Sequence, residues 1–175
     1  GDQLAICWKK ARFGVILTHA TVAGRGRFLV TPNRYVARVR LRDKATGRKV
    51  VVIGTHMVSS GWTGAKHLDA WRRAHWHAHM VVMRRVVRRA VEVNDIVIWS
   101  GDMNRPPWSF KHRLFPSLRF AGACSIVAKT GPTHGSTTFD YAGAISRVGK
   151  VTEDAKTFRA HSDHRGIRAR FTLAA

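Results

Sequence analysis

The stretch Ile96–Asn104, I-V-I-W-S-G-D-M-N, constrains this chain more than any other. Ile96, Val97, Ile98 and Trp99 are consecutive β-branched or aromatic residues, the pattern of a strand buried on both faces. Ser100 and Gly101 break the run, so Asp102 and Asn104 fall on the loop just past the strand's carboxyl end, where α/β folds usually carry their sites. A carboxylate and a carboxamide two residues apart suit a metal, a phosphate or a catalytic histidine. An Asx-rich turn accounts for them as well.

The rest of the chain decides between these. At 175 residues it is one domain's worth of polypeptide, residues 1–175, with 45% hydrophobic residues to build a core. No apolar run approaches the roughly 18 residues a membrane span needs, and no signal-peptide pattern opens the chain. Cys7 and Cys124 are too few for a disulfide framework. Both points favour a cytoplasmic setting, and no obligate protein partner is evident. Charge is the strongest bulk property: 31 Lys and Arg oppose 10 Asp and Glu, a net +21. Such an imbalance attracts polyanions through their phosphates, with nucleic acid the default partner.

In order, Leu4–Trp8 and Gly14–Thr18 read as two short strands around the basic turn Lys9–Arg12, and Ala23–Arg27 as a flexible Gly/Arg loop. Tyr35–Leu41 alternates as a half-buried strand, with Tyr35, Ala37, Val39 and Leu41 facing inward and Val36, Arg38 and Arg40 outward. Asp43–Gly47 is a hairpin turn, and Val50–Gly54 a second strand that ends at Thr55-His56. From Lys66 to Val93 the pattern is helical, with Leu68, Trp71, His75, Ala78, Val82, Val86, Ala90 and Val93 as the expected inner stripe. His75 and His79 have metal-ligand spacing, but no Glu completes the motif, and a basic helix face is the better reading. Arg105-Pro106-Pro107-Trp108 is an extended exit loop. Residues 109–131 are the least legible, with Phe110, Leu114, Phe115, Leu118 and Phe120 as expected core. Thr137–Tyr141 is a short β-prone segment in which Asp140, between two aromatics, needs a partner or a cation. Ser162-Asp163-His164-Arg165-Gly166 precedes a closing strand, Ile167–Leu173.

Four motifs in order, T-H (55–56), G-D-M-N (101–104), T-F-D-Y (138–141) and S-D-H (162–164), resemble those of the endonuclease/exonuclease/phosphatase superfamily, which includes DNase I-like nucleases, sphingomyelinases and inositol-polyphosphate phosphatases. The resemblance spans nearly the whole chain. It implies an α+β fold: a four-layer α/β/β/α sandwich of two mixed sheets with the site at the top. It also implies roles. His164 takes a proton from water, oriented by Asp140; Asp102 positions the water or shares a metal. Asn104 donates an amide N–H to the phosphate, and His56 faces the leaving oxygen. Asp163, with Asp102, is a Mg²⁺ ligand (Mn²⁺ as an alternative), and Arg105 and Arg165 beside the motifs contact nucleic acid.

One departure stands out. The family's principal metal ligand is a Glu in a Q-E motif upstream of the strand matching Leu4–Trp8; Glu92 and Glu153 do not match it. The chain therefore reads as an N-terminally shortened member, first strands missing. Metal-dependent phosphodiester hydrolysis, with DNA or RNA as substrate, is the expected function. The alternatives are a weak or inactive basic nucleic-acid-binding module, or a phosphatase or lipid phosphodiesterase of the same fold.

Overall fold

The computed structural model describes residues 4–62, 66–106 and 123–174, without the side chains of residues 66–69 and 124. Among them the elements run β1 (Phe13–Gly24), β2 (Arg34–Asp43), β3 (Lys49–His56), α1 (Lys66–Val93), β4 (Ile96–Asp102), β5 (Cys124–Val127), β6 (Asp140–Ser146), β7 (Val151–Phe158) and β8 (Gly166–Leu173). Six strands form a sheet in the order β1-β2-β3-β4-β6-β5, and β7 and β8 pair separately. The β3–β4 pairing is parallel and its neighbours are antiparallel, so this sheet is mixed. Helix α1 is the β3-to-β4 crossover and covers one face; β7 and β8 pack over β5 and β6. These are layers of the expected α/β/β/α sandwich. Among the described residues the second sheet is an antiparallel pair rather than a mixed sheet, and one outer helix is present.

The core lies between α1 and the sheet. Val36, Val51, Ile53, Val97, Trp99 and Ile145 from four strands meet Trp76, Met80, Met83, Val87 and Ala90 from the helix. Burying each of these larger side chains contributes roughly 1.5–3 kcal/mol. The inner stripe of α1 is wider than the expected one, of which His75, Val86 and Ala90 are buried and Trp71 and Val82 pack against the core. His75, Trp76, His79, Met80, Met83, Val86, Val87, Ala90 and Val91 face in, while Ala78 is exposed and Val93 is 53% exposed. The expected stripe is too narrow: it leaves out Trp76, His79, Met80, Met83, Val87 and Val91 on the same face. His75 and His79 are thus interior groups, and the basic face is formed by Arg73, Arg84, Arg85, Arg88 and Arg89 on the opposite side.

Helix α1 ends well capped. Asn94 Nδ2 donates to the Ala90 carbonyl, Arg147 to those of Val91 and Glu92, and Arg40 to that of Val93. Four carbonyls that a helix end leaves without partners are satisfied, three of them by cations at the negative pole of the helix. This explains β2, whose charged face was expected outside. That face turns toward α1: Val36 is fully buried under the helix, and Arg40 reaches its last turn.

Other expectations need correction. Leu4–Trp8 pairs with no described strand; Ile6 lies against Gly54 on the sheet. β1 continues through Thr18 to Gly24, taking in the start of the expected Gly/Arg loop. Ile96 and Ile98 are half-buried on the face away from α1, so β4 is fully buried on one side only. The β-prone segment at 137–141 is the entry to β6, which runs on through Ser146 in the sheet interior. β7, to which the sequence reading assigns no element, pairs with β8 from Val151↔Leu173 to Phe158↔Gly166. The expected core residues Phe110, Leu114, Phe115, Leu118 and Phe120, with Pro107 and Trp108, lie outside the described residues.

Candidate active site at the ends of three adjacent strands

Strand register builds the first part of the site. His56 pairs with Asp102 across β3 and β4, and Asp102 with Asp140 across β4 and β6. Val51, Ile53, Val97 and Trp99 face α1, so alternation turns these three side chains to the opposite face, toward the second sheet. The strands meet this closely because residue 101 is glycine: a Cβ there would overlap the Thr55 carbonyl oxygen. His56 Nε2 lies 3.5 Å from Asp102 Oδ2.

The G-D-M-N turn then holds Asp102 rigidly. Asn104 has a φ of 47°, which Asn tolerates better than most residues. Its backbone N–H donates to Asp102 Oδ1 at 2.7 Å. Its Nδ2 donates to Asp102 Oδ2 at 3.0 Å and to the Met57 carbonyl at 3.0 Å. Because a carbonyl only accepts, the Met57 contact fixes which end of the carboxamide is nitrogen. Both amide hydrogens are therefore engaged inside the protein. In this geometry Asn104 braces the β4 turn against β3, which differs from the phosphate-donating role the family resemblance implies.

His164 arrives from the β7–β8 connection. Its Nδ1 lies 2.7 Å from Asp140 Oδ2, so Nδ1–H donates to the carboxylate and Nε2 is left for chemistry. Thr133 ties the two together and is fully buried. Its Oγ accepts from the backbone N–H of Phe139 and Asp140, and its carbonyl accepts from Arg165 N–H at 2.6 Å. His134 forms an isolated backbone bridge with His164, their rings 4.8 Å apart.

Burial pushes the Asp102 carboxyl up to about 6, aided by the charge of Asp140 and opposed by the Asn104 N–H, His164 and Arg34. Burial, with Arg34, holds His56 down at about 4. At neutral pH His56 is an uncharged imidazole, so its contact with Asp102 is not an ion pair. Burial also lowers His164, but the hydrogen bond and charge of Asp140, then Asp102 and Asp163, outweigh it and raise its pKa above the ordinary value.

Five expected residues, His56, Asp102, Asn104, Asp140 and His164, thus converge from positions spread over more than half the sequence. The expected metal pair does not form one group. Asp102 lies with Asp140 and His164, whereas Asp163, its side chain 79% exposed, lies with His134 and His164. The Asp102 carboxylate presents hard oxygens of the kind that Mg²⁺ prefers. Glu92 is exposed on α1, and Glu153 Oε1 accepts from Lys129 N–H on β7, so neither Glu belongs to the site. Arg165 is exposed beside His164. Arg105 sits in the corner formed by Trp62 and Trp76, whose rings meet at 89°, 3.9 Å and 4.6 Å from their ring centres, which orders the guanidinium. Sequence reasoning missed Arg34, Thr133 and His134. Arg34 opens β2, bonds Thr31 Oγ1 and brings positive charge to His56 and Asp102. Nothing in its strand pattern distinguished it, whereas T-H at 133–134 repeats the T-H at 55–56.

No family model and no curated protein sequence matches the chain. Solved structures do. An endonuclease/exonuclease/phosphatase protein from Bacteroides vulgatus superposes with a TM-score of 0.66 at 13% identity, over 95% of this chain and 69% of that one. A mannosyl-6-phosphatase from Bacteroides thetaiotaomicron gives 0.63 at 13%, over 95% and 69%. D. rerio TDP2 complexed with a single-strand DNA product gives 0.60 at 17%, over 94% and 70%. No helix among the described residues is long and apolar enough to cross a membrane. What this chain shares with these structures is the fold, and that fold is the one of the endonuclease/exonuclease/phosphatase superfamily.

Proposed function

We propose that the chain is a divalent-metal-dependent phosphodiesterase that hydrolyses nucleic acid. The observation that carries this reading is the 2.7 Å Asp140–His164 pair beside a braced Asp102. Phosphodiester hydrolysis needs an activated water, stabilisation of charge on the phosphoryl oxygens and help for the leaving alkoxide. His164 Nε2 accepts the proton of the attacking water, and Asp140 holds the ring and stabilises the imidazolium that results. Asp102, kept in place by both amides of Asn104, orients that water. Neutral His56 offers an N–H to the leaving oxygen, and Arg34 adds positive charge for the phosphate. Asp102 is the residue to hold Mg²⁺, with Asp163 nearby; when bound, the ion would neutralise charge on the phosphoryl oxygens.

Two features support nucleic acid as the substrate. The first is the net charge of +21. The second is the turn at 27–31, closed by backbone bonds between Arg27 and Thr31 and by Gly26 N–H to Asn33 Oδ1. It presents Phe28 at 89% and Leu29 at 92% exposure next to Arg25 and Arg27, a pairing of stacking surface with cations that suits unpaired bases. The DNA complex of the TDP2 neighbour is consistent with this. A phosphomonoesterase is the second reading, supported by the mannosyl-6-phosphatase neighbour.

The test is digestion of plasmid and oligonucleotides with Mg²⁺, Mn²⁺ or EDTA. Strand cleavage that EDTA abolishes is expected. Salt-sensitive binding without cleavage would leave the basic binding module instead, and phosphate release from monoesters without strand cleavage would favour the phosphatase.

A further inference from the structure

The base His164 also belongs to a second group of ligand atoms, apart from the one it forms with Asp102 and Asp140. His134, Asp163 and His164 each place one ligand atom within 4.8 Å of the others. His134 Nε2 stands 3.7 Å from Asp163 Oδ2, too far for a hydrogen bond. Two imidazoles and one carboxylate are a donor set for a borderline cation such as Zn²⁺, whereas Mg²⁺ prefers oxygen. We infer that His134, Asp163 and His164 form an inhibitory binding site for Zn²⁺ or a cation of similar softness, which silences the active site by occupying His164 Nε2. The inhibition half of this inference rests on the proposed hydrolytic reading; the binding half does not.

The geometry favours the site in four ways. The backbone bridge between residues 134 and 164, together with Arg165 N–H on the Thr133 carbonyl, fixes the separation of the two histidines. Asp140 on Nδ1 orients His164 with Nε2 outward and raises its basicity, the arrangement of a carboxylate behind a metal-bound histidine. Tetrahedral zinc with bonds of about 2.0–2.1 Å needs donors about 3.3 Å apart, a closure of about 1.5 Å at most. His134 and Asp163 are 43% and 79% exposed at the side chain, so rotation of Asp163 away from Ser162, with a small tilt of the His134 ring, supplies that closure. Entry is open as well, since Asp163 and His164 line a hollow of about 660 Å³ formed by residues 157–165.

The experiment is calorimetric titration of the full chain with Zn²⁺, followed by Mg²⁺-supported hydrolysis at increasing Zn²⁺. The variants are His134→Ala, His134→Gln and, as a control on the same hollow, His161→Ala. One Zn²⁺ is expected to bind the parent chain and His161→Ala alike. Both His134 variants should bind it at least 10-fold more weakly, with their unfolding transitions showing that they remain folded. Hydrolysis by the parent should fall with the same midpoint as binding, while His134→Ala, measured against its own rate in Mg²⁺ alone, resists Zn²⁺. Unchanged Zn²⁺ affinity in both His134 variants would overturn the site. Binding lost with His134 but without effect on hydrolysis would overturn the inhibitory role. If the chain hydrolyses nothing, the calorimetry still decides the site, and only the proposed hydrolysis has failed.

Discussion

In the proposed hydrolysis His164 and Asp140 act as one unit, because the carboxylate reaches the reaction through the ring it holds at 2.7 Å. Removing the proton acceptor should lower turnover about 10²–10⁴-fold, the usual contribution of a general base. We therefore expect His164→Ala to lose activity on a chromogenic phosphodiester to that extent, with excess Mg²⁺ restoring none of it. Asp140→Asn leaves a ring without its charged partner and should lose activity as well. The double variant should be no worse than His164→Ala alone, since groups that act as a unit are not additive. Steady-state kinetics on the three variants checks this. Additive losses would mean that Asp140 acts on the substrate or the metal directly.

At the scale of elements, β6 and α1 carry the site's supports. β6 runs D-Y-A-G-A-I-S through the sheet interior, with Gly143 opposite Trp99. A Cβ at Gly143 would overlap the Trp99 indole, which is 1% exposed and has no room to move. Gly143→Ala should therefore cost about 1–3 kcal/mol by overpacking, read from denaturant unfolding. A neutral result would show that the indole can shift. Helix α1 bears on β3 through His79, which is fully buried. Thr55 Oγ–H donates to the Tyr35 carbonyl, so its oxygen accepts from His79 Nε2–H at 2.6 Å. Burial, with His75, Arg34 and His56 around it, holds the His79 pKa down at about 3. Below about pH 6.5 the unfolded chain binds a proton that the folded chain refuses until about pH 3. Stability should therefore fall with pH across that window, approaching about 1.4 kcal/mol per unit for this residue. His56 and His75, also lowered by burial, add in the same direction. Urea unfolding at pH 7, 5.5 and 4.5 tests the slope. His79→Gln, which keeps an N–H for Thr55, should flatten it.

For the molecule as a whole, a charge of +21 makes the proposed nucleic-acid binding largely a matter of counterion release. Affinity should drop on the order of 10³–10⁵-fold between 50 and 200 mM salt, as for 6–10 neutralised phosphates. Phe28→Ala should weaken single-strand binding by about 1–3 kcal/mol without changing that salt slope, because it removes stacking rather than charge. Fluorescence anisotropy across a salt series separates the two effects, and a salt-independent affinity would refute the electrostatic account. Much of this protein is legible in the chain itself. The continuous apolar run of β4, the hairpin turn at Asp43–Gly47 and the order of the four motifs follow from local residue chemistry, and they locate His56, Asp102, Asn104, Asp140 and His164. Other features depend on neighbours distant in sequence. β7 has few apolar residues and is a strand only because β8 supplies its hydrogen-bond partners. β6 combines weak strand formers, and it is held between β4 and β5 where Gly143 makes room for Trp99. The inner stripe of α1 takes its width from the sheet beneath it. The two groups that share His164, one with Asp102 and Asp140, the other with His134 and Asp163, are likewise invisible in sequence order. Strand register and the 131–138 loop bring their members together, and both arise only when the chain is folded.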